Sequence, residues 1–172
     1  GGFSIDSAGI TSPYAQWVIT VFMLIFGVNF NLYYLILMKR ARQALKSEEL
    51  WFYISMVAVC VIAIFLSIFK ALPEFSSVND TVRHVAFQVS SFVTTTGYTT
   101  VNVNVWPSFP KAIMFMLMFT GACAGSTAGG LKLSRVMILF KTIKKEFQRL
   151  IHPRSIRTIK FEGKALDTVT RH

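Results

Sequence analysis

The sequence predicts an all-α integral membrane protein in which a re-entrant segment lies between membrane-spanning helices. The 172 residues are 53% apolar and only 15% charged, whereas a typical soluble domain is about 45–50% apolar and about 25% charged. The mean hydropathy is +0.51, and the apolar residues are gathered in long uncharged runs with basic residues at their ends. This composition excludes a soluble enzyme of average make-up.

The distribution of charge argues against nucleic acid as a partner. The net charge is +10, from 18 Lys and Arg against 8 Asp and Glu, a balance that can indicate nucleic-acid binding. Residues 132–172 carry +8 of this charge and residues 39–50 carry +2, and both segments directly follow apolar runs. Because basic residues accumulate in cytoplasmic loops, we expect both segments to be cytoplasmic.

The first apolar run, from Pro13 to Met38, predicts one continuous membrane helix. Its 26 uncharged residues would form about 39 Å of helix, enough to cross a hydrocarbon core of about 30 Å with some tilt. Pro13 is suited to a first helical turn, and Lys39 begins the basic cluster that ends the run. Asn29 and Asn31 are expensive in lipid, so we expect them to face protein or a pore.

Two further runs predict membrane helices on either side of a more polar segment. Trp51 to Phe69 is uncharged, and Ala112 to Leu131 is the third strong apolar run. Between them, Val85 to Trp106 is also uncharged, but it is rich in Ser and Thr and contains Gly97. A segment of such mixed polarity is a poor lipid-facing helix.

Charge placement predicts that Val85 to Trp106 enters the membrane and returns to the same side. If this segment crossed fully, the basic residues after position 131 would lie on the side opposite the basic cluster at 39–46, contrary to the positive-inside rule. Irregular backbone is tolerated at membrane depth only where it is buried in protein or lines a water-filled path. We therefore expect the re-entrant segment to line a pore.

A short helix is expected to open the re-entrant segment. Apolar residues recur near helical spacing from Val82 onward, and Asn79 or Asp80 can cap the helix. The partial negative charge at its C-terminus favours a cation. Arg83 and His84, near its start, are expected to be solvated.

The short helix is followed by a Thr-Gly-Tyr segment, defined here as Thr94, Thr95, Thr96, Gly97 and Tyr98. Successive carbonyls in such a segment can replace the hydration shell of an ion, and Gly97 permits the backbone angles that this requires. Thr95 or Thr96 can add a hydroxyl, and Tyr98 can brace the segment from behind. A Thr-rich turn that merely ends a helix is the competing interpretation.

The third apolar run includes a glycine-rich segment without large side chains, made up of Gly121, Ala122, Cys123, Ala124, Gly125, Ser126, Thr127, Ala128, Gly129 and Gly130. The spacing of Gly121, Gly125 and Gly129 matches the small-xxx-small pattern by which membrane helices pack closely. The adjacent Gly129 and Gly130 also weaken a helix, so the segment can instead bend into an ion path. These residues alone leave both interpretations open.

The small residues do not form a recognisable catalytic site. Gly125 to Gly130 has the spacing of a phosphate-binding loop, but Leu131 occupies the position of the lysine. An intramembrane serine hydrolase needs a Gly after its Ser and a partner base, whereas Thr127 follows Ser126. We therefore expect no enzymatic activity and no organic cofactor.

The whole chain resembles the Trk/Ktr/HKT superfamily of potassium transporters, and in particular its TrkH-like membrane subunits. The residues that carry the resemblance are the Thr-Gly-Tyr segment, the Cys-Ala-Gly-Ser-Thr sequence within the glycine-rich segment, and Gly1-Gly2-Phe3-Ser4 at the start of the chain. In this family one chain holds four helix, pore-loop, helix repeats around a single ion path, as a potassium-channel-like pseudo-tetramer.

The resemblance implies that the chain holds the end of the second repeat, the complete third repeat and the linker to the fourth. Residues 1–50 would hold the end of one filter and the second membrane helix of that repeat. Residues 51–149 would form a complete repeat, and residues 150–172 a cytoplasmic linker to the next repeat.

The resemblance also implies an ion site and a gate. Gly1 and Gly97 would occupy equivalent filter positions, and potassium would bind at Thr95, Thr96 and Gly97. The glycine-rich segment would act as an intramembrane gate beneath the filter.

The partners implied by the resemblance are the remaining repeats of the same chain, a second copy in a homodimer, and a cytoplasmic nucleotide-binding regulatory subunit of the TrkA type. The location would be the cell inner (plasma) membrane. Lys132 and Arg135 are expected to contact lipid or a regulator. Two alternatives stay open: a homotetrameric cation channel built from residues 51–149, and a non-transporting membrane adaptor with a basic cytoplasmic face.

Overall fold

The computed structural model describes residues 10, 12–71, 77–151, 159–161 and 164–166, and the apolar part of the chain is helical, as predicted. The helices are α1 (Pro13–Phe26), α2 (Phe30–Leu37), α3 (Ala41–Ala44), α4 (Glu48–Ala71), α5 (Val78–Val93), α6 (Ser108–Thr120) and α7 (Leu133–Ile151). Two short strands, β1 (Ile159–Phe161) and β2 (Lys164–Leu166), pair antiparallel with Lys160 opposite Ala165. The expected filter residue Gly1 lies outside the described residues.

The second apolar run forms the spanning helix α4. Within the described part of the chain, α4 is the one helix that is by itself long and apolar enough to cross a membrane, over Glu48–Phe69. Val59, Ile62 and Leu66 on this helix are more than half exposed, and an apolar surface of this kind is suited to contact with lipid or with further protein. The helix begins at Glu48, slightly before the predicted start.

The prediction of one continuous helix from Pro13 to Met38 is wrong. The run is divided into α1 and α2, which are bent relative to each other by 88°. Gly27 follows the end of α1, and the Asn29 side chain accepts a 3.0 Å hydrogen bond from the Asn31 backbone N–H, which caps the start of α2. The bend is invisible to hydropathy because the residues on both sides of it are equally apolar.

Helix α5 lies at the centre of the described chain, where it packs against α1, α4 and α6. Val85, Val89 and Val93 lie along one side of α5 and are buried with Ile64 and Ile68 of α4. This burial agrees with the expectation that the re-entrant helix is enclosed by protein rather than exposed to lipid.

The start of α5 differs from its prediction. Ser77 occupies the cap position, without a side-chain hydrogen bond, so neither Asn79 nor Asp80 is the cap. Asp80 lies in the first turn and forms an ion pair with Arg83 at 2.7 Å. A negative charge in the first turn is favourable because of the helix dipole.

The glycine-rich segment is not helical: α6 ends at Thr120 and α7 begins at Leu133. Gly121 directly after α6 has φ +61, a conformation that is available to glycine but rarely to other residues. The interpretation as a helix-packing pattern is therefore wrong, because that pattern requires a continuous helix. The apolar run bends here, as the other interpretation expected.

Candidate functional site

Helix α5 ends at the Thr-Gly-Tyr segment in a Schellman motif. The Thr95 backbone N–H donates to the Phe92 carbonyl at 3.2 Å, and the Thr96 N–H donates to the Ser91 carbonyl at 2.9 Å. This pair of bonds defines the motif and satisfies carbonyls of the last helical turn. The Thr-Gly-Tyr segment therefore leaves α5 in a defined direction at the partially negative end of the helix.

Thr95 has an unusual backbone conformation for a β-branched residue. Its φ is +55, at the position of a Schellman motif where glycine is usual. Such a conformation costs about 1–3 kcal/mol and is found preferentially at functional sites. The Thr95 hydroxyl accepts a 2.8 Å hydrogen bond from the Gly129 backbone N–H, so the end of α5 contacts the glycine-rich segment directly.

Side-chain hydroxyls hold the Thr-Gly-Tyr segment on α5. The Thr94 hydroxyl donates to the Ser90 carbonyl at 2.6 Å and lies 2.8 Å from the Thr96 hydroxyl. The Ser91 hydroxyl donates to the Tyr98 carbonyl at 2.7 Å. The hydroxyls of Thr94 and Thr96 are thus engaged with each other and with the helix.

Gly97 and Tyr98 complete the segment. Gly97 has φ +82, a positive value that glycine adopts readily, in agreement with the role expected of its backbone. The Tyr98 side chain is 40% exposed. The contact between Ser91 and the Tyr98 carbonyl holds this end of the segment on α5.

The glycine-rich segment closes on itself where α6 and α7 meet it. The Leu133 N–H donates to the Ala122 carbonyl at 3.1 Å. A Cβ at Gly121 would lie 2.6 Å from the Gly129 carbonyl oxygen, which is closer than a real side chain can approach a backbone. Glycine is therefore required at position 121 for this loop to close.

The glycine-rich segment packs against the bend between α1 and α2. The Cys123 N–H donates to the Gly27 carbonyl at 3.1 Å, and the Phe30 N–H donates to the Gly125 carbonyl at 3.2 Å. A Cβ at Gly125 would lie 2.9 Å from Asn29 Oδ1. The first and third apolar runs, both interrupted, thus form hydrogen bonds to each other's backbone N–H and carbonyl groups. Irregular backbone at membrane depth requires such partners.

Two charged side chains also bind the backbone of the glycine-rich segment. Glu49 Oε1 accepts a 2.7 Å hydrogen bond from the Ala124 N–H. Lys132 Nζ donates to the Ser126 carbonyl at 3.3 Å and to the Ala128 carbonyl. The Glu49 carboxylate therefore lies beside an N–H, the positive end of a peptide dipole. The Lys132 ammonium lies beside carbonyl oxygens, the negative ends.

Lys132 and Arg135, which the sequence grouped together, occupy different environments. Lys132 is half-buried and bound to the glycine-rich segment, whereas Arg135 is exposed. Lys141, further along α7, forms an ion pair with Glu48 at 2.5 Å. A contact with lipid or a regulator is therefore open to Arg135 in this conformation and less so to Lys132.

The expectation that Arg83 and His84 are solvated is wrong. Arg83 Nε donates to Gln16 Oε1 at 2.7 Å, and only 11% of the Arg83 side chain is exposed beside Asp80. His84 Nδ1 lies 2.9 Å from Thr100 Oγ1. These contacts join α5 to α1 and to the chain after the Thr-Gly-Tyr segment.

Glu49 is the main residue of this region that sequence reasoning missed. It stands next to Glu48 before an apolar run, where it resembles an ordinary solvated helix start, yet it is only 3% exposed. An acidic residue at the edge of a membrane run was the one available signal. Asn29 was expected to face protein or a pore, and it contacts the glycine-rich segment.

Comparison with known proteins shows a match along nearly the whole chain. A family model described as TrkH, cation transport protein, matches residues 1–170. The chain is 34% identical over 174 residues to the Trk system potassium uptake protein TrkH of Escherichia coli strain K12. It is 30% identical over 176 residues to the Trk system potassium uptake protein TrkG of the same strain. These alignments cover 96% and 99% of this chain but 35% and 36% of the relatives, so the chain spans about a third of their length.

A solved structure has the same fold. The crystal structure of the potassium transporter TrkH from Vibrio parahaemolyticus superimposes with a TM-score of 0.88 at 32% sequence identity. The similarity covers 96% of this chain and 36% of that protein. The described arrangement of interrupted and spanning helices is therefore that of a known membrane transporter fold.

Proposed function

The chain belongs to the TrkH family of cation transport proteins, and on this premise we propose that it forms part of the ion path of a potassium uptake system. Relatives that it matches are named potassium uptake proteins. The observation that supports the proposal most strongly is the contact between Thr95 and Gly129. It brings a buried helix end and a non-helical stretch of an apolar run together, which is the geometry that an ion path needs.

The cation binds at the Thr-Gly-Tyr segment. The C-terminus of α5 supplies a partial negative charge there, and backbone carbonyls of Thr95, Thr96 and Gly97 replace part of the hydration shell. Thr94 and Tyr98 flank this site. Equivalent segments complete the ring, and Gly1 is the contribution of the preceding repeat. Potassium is the cargo, and no organic cofactor takes part.

The glycine-rich segment is the gate of this path. It contains no large side chain, so it can move without displacing bulky groups from a packed core. In the described conformation it is bound to the bend between α1 and α2 and to the Thr95 hydroxyl. A passage of ions past Thr95 requires this segment to move aside.

The protein acts in the inner (plasma) membrane, with residues 39–50 and 132–172 on the cytoplasmic side. The membrane potential drives cation entry with about 2.3 kcal/mol per charge per 100 mV. No bond is made or broken, so the protein is a transporter and not an enzyme. Membrane lipids contact the basic cytoplasmic surface, to which Arg135 belongs.

The assembly includes more than this chain segment. Further repeats of the same chain close the pore, a second copy forms a homodimer, and a nucleotide-binding subunit of the TrkA type docks on the cytoplasmic side. A homotetramer built from residues 51–149 alone is the weaker alternative, because α1 packs directly against α5. An adaptor role loses its support, since the glycine-rich segment is not a packing helix.

The proposal is tested by uptake of rubidium and sodium into liposomes that contain the full-length protein. Gly97→Ser introduces a side chain where φ is +82, and we expect it to abolish the preference for rubidium over sodium. Ala112→Ser adds a hydroxyl at an exposed site on α6 and serves as the matched control. An unchanged preference in Gly97→Ser, or the absence of flux from folded protein under any gradient, would overturn the proposal.

A further inference from the structure

We propose that Glu49 is the positioning residue that holds the glycine-rich segment in its closed place, and that loss of its hydrogen bond releases the segment. This inference rests on the proposed function, because it names the residue that keeps the proposed gate shut. It assigns a role to a buried acidic side chain outside the ion path itself.

The contact joins two distant parts of the chain. Glu49 lies in the first turn of α4, is only 3% exposed, and accepts a 2.7 Å hydrogen bond from the Ala124 N–H 75 residues away. Hydrogen bonds to an ionised carboxylate are stronger than those between neutral groups. A buried carboxylate is unfavourable without such donors. Moving the segment away therefore breaks the hydrogen bond and also takes a donor from a buried carboxylate.

The bonded position is central to the docking of the segment. Ala124 lies between Cys123 and Gly125, whose backbone groups bind Gly27 and Phe30 at the bend. Three consecutive residues of the segment therefore bind other parts of the chain. Two of these contacts are between backbones, so the bond from the Glu49 side chain is the one that a substitution can remove.

Glu49 differs from Lys132, the other charged residue on the segment. Lys132 stands two residues after the end of the segment and binds carbonyls within it, so it can move together with the segment. Glu49 belongs to the spanning helix α4, which does not share the backbone of the segment. A bond from a separate helix resists displacement, whereas a bond within the moving part does not.

Cys123 provides a reporter of displacement that does not depend on ion flux. Its side chain is fully buried in the described conformation, and it precedes Ala124 directly. A thiol reagent such as N-ethylmaleimide therefore reacts only when the segment leaves its place. Cys60, the other cysteine of this chain, is replaced by Ala, and the full-length protein is used with Cys123 as its only cysteine.

Four variants separate the hydrogen bond from charge and from folding. Glu49→Ala removes the acceptor, and Glu49→Gln keeps an oxygen that can accept the Ala124 N–H. Glu49→Asp keeps the charge but shortens the side chain by one methylene. Glu48→Ala is the matched control, because Glu48 is the exposed neighbour that pairs with Lys141.

We expect N-ethylmaleimide to modify Cys123 about tenfold faster in Glu49→Ala, since the loss of one hydrogen bond to a charged group shifts an equilibrium by about that factor. Rubidium flux is expected to rise in parallel. Glu49→Asp is expected to label faster than the parent, whereas Glu49→Gln and Glu48→Ala stay within about threefold of it. If Glu49→Ala does not fold, Glu49→Asp carries the test.

Two kinds of failure are distinguishable. Parental labelling rates in folded Glu49→Ala and Glu49→Asp, from a protein that still conducts rubidium, would overturn the role of Glu49 alone. Faster labelling of Cys123 in a protein that conducts no ion would support the role of Glu49 and would show that the proposed function in ion transport is wrong. Equal acceleration in Glu48→Ala would show a general effect of acidic charge and would also overturn the inference.

Discussion

The Thr95 hydroxyl lies 2.8 Å from the backbone nitrogen of Gly129 and accepts its hydrogen bond. Thr95 has φ +55 in a helix-ending position that ordinarily takes glycine. A glycine would relieve the backbone but could not reach Gly129. The contact therefore explains why a strained threonine stands at the junction of α5 and the Thr-Gly-Tyr segment.

Thr95→Val is expected to weaken this junction. Valine keeps the branched shape but has no hydroxyl, so the exposed Gly129 N–H loses this partner at a cost of about 0.5–1.5 kcal/mol. The midpoint temperature of thermal unfolding of the full-length protein in detergent should fall. Thr95→Ser retains the hydroxyl and is the control. Equal midpoint temperatures for the two variants would contradict the assigned role of the bond.

Gly27→Ala is expected to destabilise the bend between α1 and α2. A Cβ at Gly27 would overlap the Tyr53 hydroxyl and lie 3.0 Å from Thr94 Cγ2. Overpacking of this kind costs about 1–3 kcal/mol, which denaturant unfolding can measure.

A second substitution tests the origin of that cost. Tyr53→Phe removes the overlapping oxygen, so the double variant Gly27→Ala with Tyr53→Phe should be less unstable than the sum of the single changes. The Tyr53 ring carbon Cζ would still lie 3.1 Å from the added Cβ, so the rescue should be partial. Strict additivity would show that the clash is not with Tyr53.

Lys132→Met is expected to lower the free energy of unfolding by about 1–3 kcal/mol, since it removes charge-assisted bonds to carbonyls of the glycine-rich segment. The Met side chain keeps an apolar stem of similar length. Arg135→Gln removes an exposed positive charge from the next turn and should leave the free energy of unfolding in the same denaturant titration unchanged. Equal losses in the two variants would indicate a general effect of removing positive charge rather than the loss of these bonds.

Arg83→Met is expected to lower the free energy of unfolding by about 1–3 kcal/mol, because buried Gln16 loses a hydrogen-bond donor. The bond spans 2.7 Å between α5 and α1. Asp80 is half exposed in its pair with Arg83, and exposed ion pairs contribute about 0–1 kcal/mol. Asp80→Asn should therefore have a small effect in the same denaturant titration. A loss in Asp80→Asn as large as that in Arg83→Met would assign the stability to the ion pair instead.

Hydropathy and local pattern predict much of the order of elements. The uncharged run at 51–69 lies within α4, and the mixed polarity of 85–106 corresponds to a helix enclosed by protein. These two features depend on residues close together in sequence, so a single sequence is enough to predict them. The clustered glycines at 121–130 correspond to an interrupted run, which was one of the two interpretations that these residues left open.

The bend at Gly27 was not predictable in this way. Gly27 and Asn29 are both tolerated within a membrane helix, and nothing near them lowers the hydropathy of the run. The bend is stabilised by backbone groups of Cys123 and Gly125, about a hundred residues along the chain. Its cause is therefore absent from the local sequence.

The membrane class, the basic segments after the apolar runs and the Thr-Gly-Tyr segment follow from the sequence alone, because each reflects local composition. The tertiary structure decided that the third run is interrupted, that Glu49 is buried against Ala124, that Thr95 binds Gly129, and that Lys132 binds carbonyls of the glycine-rich segment. Hydrogen bonds act over about 3 Å between atoms. Which residues share such a bond depends on how distant parts of the chain pack, and no local pattern contains that information.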